Sequence, residues 1–172
     1  MCECNMSKVT GMCMAIIALV IAIVIILCPN MPIENKNILT AIAREGDNTE
    51  VGNAIIKFSL NDIEEGTAIM HQAGSENINI NESGIYQISY QVFGTGQRLG
   101  TFNFNTVLIV NGVGLPDTFN ESPILRDNVV NRMTLTSTVI LRLEAGDILN
   151  LGAVSIEDVT YPRARIDIEK IG

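Results

Sequence analysis

The chain has 172 residues, a net charge of −8 and 47% hydrophobic side chains, with a mean hydropathy of +0.30. Met12–Cys28 (MCMAIIALVIAIVIILC) contributes roughly +57 of hydropathy against a whole-chain total of roughly +52, so the remainder averages near zero. These values exclude a disordered chain and, for want of a second long apolar run, a polytopic membrane protein; the acidic balance and the lack of a basic run argue against nucleic-acid binding.

Taken as a helix, residues 12–28 span about 25 Å, the lower limit for crossing a bilayer. Ser7 and Thr10 are candidate N-caps, and Pro29 stops the run. Three readings are open for this apolar rod: a membrane anchor, a cleaved signal peptide, or a connector buried against a neighbouring subunit. The second fits least well, because Glu3 offsets Lys8 and no A-x-A site follows. As an anchor it implies a single pass with the C-terminal head outside. All four cysteines, Cys2, Cys4, Cys13 and Cys28, belong to residues 1–28. The rest of the chain therefore folds without disulfides, while Cys2 and Cys4 are candidates for interchain bridges between N-termini. Residues 29–37 (PNMPIENKN) read as a linker without a collagen-like Gly-X-Y tract.

Residues 38–172 read as one all-β domain. Runs at Ile38–Ala43, Ala54–Leu60 and Ile78–Ile80 open it. Ile85–Val92 then alternates, with Tyr86, Ile88, Tyr90 and Val92 on one face. Phe102, Phe104, Leu108 and Val110 share the next face; Met133, Leu135, Val139 and Leu141 share another. In the last run Ala164, Ile166 and Ile168 alternate with Arg165, Asp167 and Glu169. Turn chemistry bounds the runs at Glu82-Ser83-Gly84, Asn111-Gly112, Leu115-Pro116-Asp117, Glu144–Asp147 and Tyr161-Pro162. About eight to ten short strands without intervening helices predict an antiparallel sandwich, with a jelly roll the best fit.

Several segments carry a family resemblance. Gly84-Ile85-Tyr86-Gln87-Ile88-Ser89-Tyr90 resembles the G-x-Y-x-hydrophobic-x-aromatic strand of the complement-component-1q head, which shares its jelly roll with the tumour-necrosis-factor superfamily. Leu108–Pro116, Ala145-Gly146-Asp147 and Ile166–Ile171 are similar to further segments in the C-terminal domains of bacterial exosporium surface proteins, many of them collagen-like. The resemblance covers about residues 80–172 and implies a homotrimer packed around an apolar spine. It makes Gly84, Gly146, Asp147, Ile166 and Ile168 motif positions. Tyr86, Tyr90, Phe102 and Phe104 become candidates for either that spine or the subunit core.

Catalytic chemistry finds little support. The single histidine, His71, lies in a polar stretch and is expected in an exposed loop; no G-x-S-x-G elbow surrounds a serine. Glu64-Glu65 and Glu157-Asp158 read as solvated loop pairs. Asp117, Asp127, Glu157 and Asp158 lack the spacing of a calcium loop. Gly94–Gly100 precedes a strand instead of a helix, so it reads as a hairpin loop and not a phosphate cradle. Asn81-Glu82-Ser83 and Asn120-Glu121-Ser122 are formal sequons. The expectation is a non-enzymatic, cofactor-free and metal-free structural protein of a cell or spore surface. Residues 12–28 would hold it in a membrane or join trimers head to tail into a fibre or layer. The alternative is a membrane-anchored trimeric module of tumour-necrosis-factor-like layout that binds a protein or glycan partner.

Overall fold

A computed structural model describes residues 36–44, 54–96, 104–121, 131–155 and 159–172. The rod at 12–28, Cys2, Cys4, Phe102, Asp127, Glu157 and Asp158 lie outside the described residues.

Twelve strands follow in order: β1 (Ile38–Ala43), β2 (Ala54–Ile55), β3 (Leu60–Glu65), β4 (Ile69–His71), β5 (Ile78–Ile80), β6 (Gly84–Gly96), β7 (Phe104–Val110), β8 (Val113–Gly114), β9 (Asn120–Glu121), β10 (Asn131–Leu143), β11 (Ile148–Ser155) and β12 (Val159–Lys170). A single 3-10 turn, Pro116–Thr118, is the helical element among the described residues. None of the described helices is long and apolar enough to cross a membrane.

Every strand pairing is antiparallel. One sheet has five strands in the order β10-β6-β12-β1-β3. The other has seven, with β4-β5-β11-β7-β8 as its path and β2 and β9 joined to β11 and β7. Period-two alternation sends one side chain of each neighbouring pair inward. Leu39, Ala41, Tyr86, Ile88, Tyr90, Val92, Ile166 and Ile168 come from the five-stranded sheet. They meet Ile69, Ile78, Ile80, Phe104, Leu108, Leu149 and Leu151 from the seven-stranded one, and all are buried. Ile56 and Phe58, between β2 and β3, complete the core.

Four expectations are corrected. His71 is 5% exposed: it sits on β4 and points inward, because Ile69 and His71 share the face that Met70 avoids. Glu64-Glu65 closes strand β3 instead of lying in a loop, although both side chains are exposed. Gly94 and Thr95 lie within β6, where a Cβ on Gly94 would sit 2.9 Å from the Phe104 ring. Tyr161-Pro162 does not end a strand. The register of β12 on β6 shifts between Thr160 and Arg163, so the proline, which has no N–H to donate, occupies a bulge.

Candidate functional site

The motif residues form three structural devices. The first is a corner at the start of β6. Tyr86 is buried, and its hydroxyl donates to the Glu82 carbonyl. Burial, and secondarily the Glu82 charge, push its phenol above the ordinary value. Glu82 pairs with Lys170 at 2.7 Å, and the hydrogen bond and charge of Lys170 hold the carboxyl below its usual range. Gly84 is where β12 returns: a Cβ there would lie 2.5 Å from the Gly172 carbonyl oxygen, which accepts from the Ile85 N–H.

The second device is centred on Tyr90. Its hydroxyl donates to the Thr118 carbonyl at 2.9 Å, and the Thr118 Oγ1 accepts from the Leu108 N–H at 2.9 Å. The 3-10 turn is thereby stitched onto β7, and every polar atom named is satisfied inside the sandwich.

The third joins two turns. Asn111 (φ 51°) and Gly112 (φ 78°) make the left-handed pair that a two-residue hairpin needs. Asn111 Nδ2 donates to Asp147 Oδ1 at 2.8 Å, while Asp147 Oδ2 accepts from the Glu144 N–H at 2.8 Å. The Glu144 amide first, and Asn111 second, hold the Asp147 carboxyl below its usual range. Gly146 takes φ 97° in that turn. Tyr86, Tyr90, Phe104, Ile166 and Ile168 are thus spent on the interior of one subunit.

Chemistry left for recognition lies on the outward face of the five-stranded sheet. Strand register arranges it in rows. Glu65, Ile38, Glu169, Gln87 and Ile140 form the first; Ile63, Thr40, Asp167, Ser89 and Thr138 the second. Leu60, Ile42, Arg165, Gln91 and Thr136 form the third, and Arg163, Phe93 and Thr134 the fourth. In these four rows the acidic Glu65, Glu169 and Asp167 give way to the basic Arg165 and Arg163, with Arg142 lying beyond the first row. At the basic end a groove of about 490 Å³ is lined by Ile42, Arg44, Phe93, Thr134, Arg163 and Arg165, among others. Arg165 is clamped by Asp167, Nε to Oδ2 and Nη2 to Oδ1, both at 2.8 Å. Burial opposes ionisation of Asp167, yet hydrogen bonds from Arg165 and Thr40 and the Arg165 charge outweigh it, leaving the carboxyl below its usual range. The sequence reading missed this cluster. Arg44 and Arg163 lie far apart in the chain, and Arg165 reads only as the polar partner in an alternation.

Among the described residues no group of three or more His, Cys, Asp or Glu side chains is placed to hold a metal ion. Asp117 sits exposed on the 3-10 turn. Of the sequon asparagines, Asn81 Nδ2 donates to the Thr67 carbonyl at 2.9 Å and Asn120 Nδ2 to the Thr136 carbonyl at 2.8 Å.

Two facing antiparallel sheets with these strand orders define a jelly roll of tumour-necrosis-factor type. Solved structures of the same fold include murine APRIL, with a TM-score of 0.56 and 14% identity over 78% of this chain and 100% of that one. Eiger TNF from S. frugiperda has a TM-score of 0.52 and 10% identity, covering 81% of this chain and 94% of its own. PRD1 vertex protein P5 has a TM-score of 0.52 and 14% identity, covering 80% of this chain and 98% of its own. No protein-family model matches the sequence, and no curated protein matches it.

Proposed function

We propose that the chain is a non-enzymatic structural surface protein whose jelly-roll head forms a homotrimer, with residues 12–28 displaying the trimers or linking them into a fibre or layer. One observation carries the reading. The outward face of the five-stranded sheet exposes Ile140 at 62% and Ile63 at 42%, beside a half-buried Phe93. Its outward positions hold four arginines, Arg132, Arg142, Arg163 and Arg165, and no lysine. Exposed apolar anchors beside arginine are a feature of recognition surfaces, and Glu65, Asp167 and Glu169 share the face with them. The fold shared with APRIL and Eiger TNF, and the motif resemblance to complement-1q-like heads, support threefold packing. The assignment to a spore surface of exosporium type rests on the sequence resemblance.

Structural engagement of the acid–base groups favours the non-enzymatic reading. His71 is held by Asn61 and by the Ser75 carbonyl, and Asp147 and Asp167 are held by their turn and strand partners. A second reading, a membrane-anchored trimeric binding module, is favoured by the groove at the basic end. Light scattering and electron microscopy of the full chain separate these outcomes. A mass three times the 18.7 kDa monomer, with filaments that persist without detergent, is the expected result. Discrete trimers that require detergent select the second reading, and a monomer contradicts both.

A further inference from the structure

We propose that Asn111-Gly112 is a deamidation site that the fold holds closed, and that its conversion opens the joint between two turns. It is the one Asn-Gly pair in the chain. Both residues are exposed, and a Cβ placed on Gly112 would meet nothing within 4 Å. Water is therefore at hand, and so is the Gly112 nitrogen, which no side chain of its own shields. The chemistry needs no other reactant. The Gly112 nitrogen attacks Asn111 Cγ and passes its proton to the side-chain amide, which leaves as ammonia while a five-membered succinimide closes. Water then opens that ring at either carbonyl, giving aspartate or isoaspartate.

Hydrogen bonds oppose the first step. Asn111 Nδ2 donates to Asp147 Oδ1 at 2.8 Å, and Asn111 Oδ1 accepts from the Ile148 N–H at 2.9 Å. Together they fix the plane of the amide, while the Asn111 N–H donates to the Ile148 carbonyl at 2.9 Å and fixes the backbone beneath it. Attack on Cγ requires the amide to turn toward Gly112, so both side-chain bonds must break first. The bond to Asp147 is charge-assisted and the stronger of the two. Asp147 is itself anchored, because its Oδ2 accepts from the Glu144 N–H at 2.8 Å. Conversion has a structural consequence. With aspartate at this position an anionic oxygen replaces Nδ2, and carboxylate faces carboxylate where a donor met an acceptor. Isoaspartate adds a methylene to the main chain inside a two-residue turn that sets Val110 opposite Val113. Either product irreversibly separates the β7–β8 hairpin from the Glu144–Asp147 turn. The inference concerns one protomer and does not depend on the proposed assembly.

Incubation of the full chain at neutral pH, followed by peptide mapping that resolves asparagine, aspartate and isoaspartate at this position, tests it. The folded parent is expected to keep Asn111, and the same chain in urea to lose it readily. Asp147→Ala, shown by its melting curve to be folded during the incubation, is expected to convert about tenfold faster than the folded parent, the change that loss of one charge-assisted hydrogen bond supports. Asn111→Asp mimics the product and leaves Asp147 in place. It is expected to lower the melting temperature, and to lower it less when Asp147→Ala is also present. Equal rates for the folded parent and Asp147→Ala overturn the proposal, as does a folded parent that converts as fast as the chain in urea. A cost of Asn111→Asp that is the same with and without the Asp147 carboxylate overturns the opening of the joint.

Discussion

Turned outward, the five-stranded sheet carries Arg132, Arg142, Arg163, Arg165, Asp167 and Glu169. The seven-stranded sheet carries Ile55, Met70, Val107, Ile109 and Ile148 beside Asn79 and Asn150. Among its described residues Glu121, on the short β9, is the one charged outward side chain. The aliphatic groups of this second face are partly self-covered: Ile109 and Val107 lean over Gly152, and Asn150 is capped by the Glu76 carbonyl and Asn77. Two sheets that feed one core equally therefore differ on the side away from it. Arginine and carboxylate are concentrated on one face. The other carries aliphatic groups, of which Val107 and Ile109 cover Gly152, while Ile55, Met70 and Ile148 stay exposed.

The largest expected effect probes where the faces should not differ. Ile166→Ala in the five-stranded sheet and Leu151→Ala in the seven-stranded sheet each remove a fully buried side chain. Each is expected to cost about 2–5 kcal/mol by denaturant unfolding; a loss confined to one sheet breaks the picture of a shared core. His71→Ala comes next. It strands Asn61 Oδ1, leaves the Ser75 carbonyl with the Phe58 N–H alone, and removes the edge contact with Phe58. Since Asn61 belongs to β3 and His71 to β4, this bond ties the two sheets together at one margin. A loss of roughly 1–3 kcal/mol is expected in the same assay.

Gly152→Ala tests the self-covered face. The new Cβ would meet Ile109 Cδ1 at 2.9 Å and Val107 Cγ1 at 3.2 Å. Both are side-chain atoms able to shift, so a cost of about 1 kcal/mol is expected. Acid gives the smallest and most gradual effect. Glu82, Asp147 and Asp167 all ionise more readily folded than free. Their contribution is complete above the unfolded carboxyl range near pH 4 and is lost as pH falls through the lower folded values. A thermal melt from pH 7 to pH 3 should show a flat region and then a decline, and Asp147→Asn should make the decline shallower.

Much of this was legible from alternation. The ends of β1 and β5 coincide with the apolar runs Ile38–Ala43 and Ile78–Ile80, and the inward sets of β6 and β12 follow period two. What sequence could not supply depends on distant pairing. Leu60–Glu65 is too acidic to read as a strand, and it is held by its register on β1. His71 is buried by Asn61 and Ser75, partners that no local pattern reveals. The groove joins Arg44 to Arg163 and Arg165 only because β1 lies beside β12. The roles of Gly84 and Asp147 were marked by motif, but their cause, the return of β12 and the joining of two turns, needed three dimensions.

We propose that copies of the chain meet through the outward face of the five-stranded sheet, where Ile140 is 62% exposed. Native mass spectrometry of the full chain with Ile140→Asp and Met70→Asp tests it most directly. Both side chains are at least half exposed in a single protomer, so neither change should disturb the fold. A trimer is expected for the parent and for Met70→Asp, and a monomer for Ile140→Asp. A trimer that survives Ile140→Asp but is lost in Met70→Asp, or a parent that is monomeric, would contradict it.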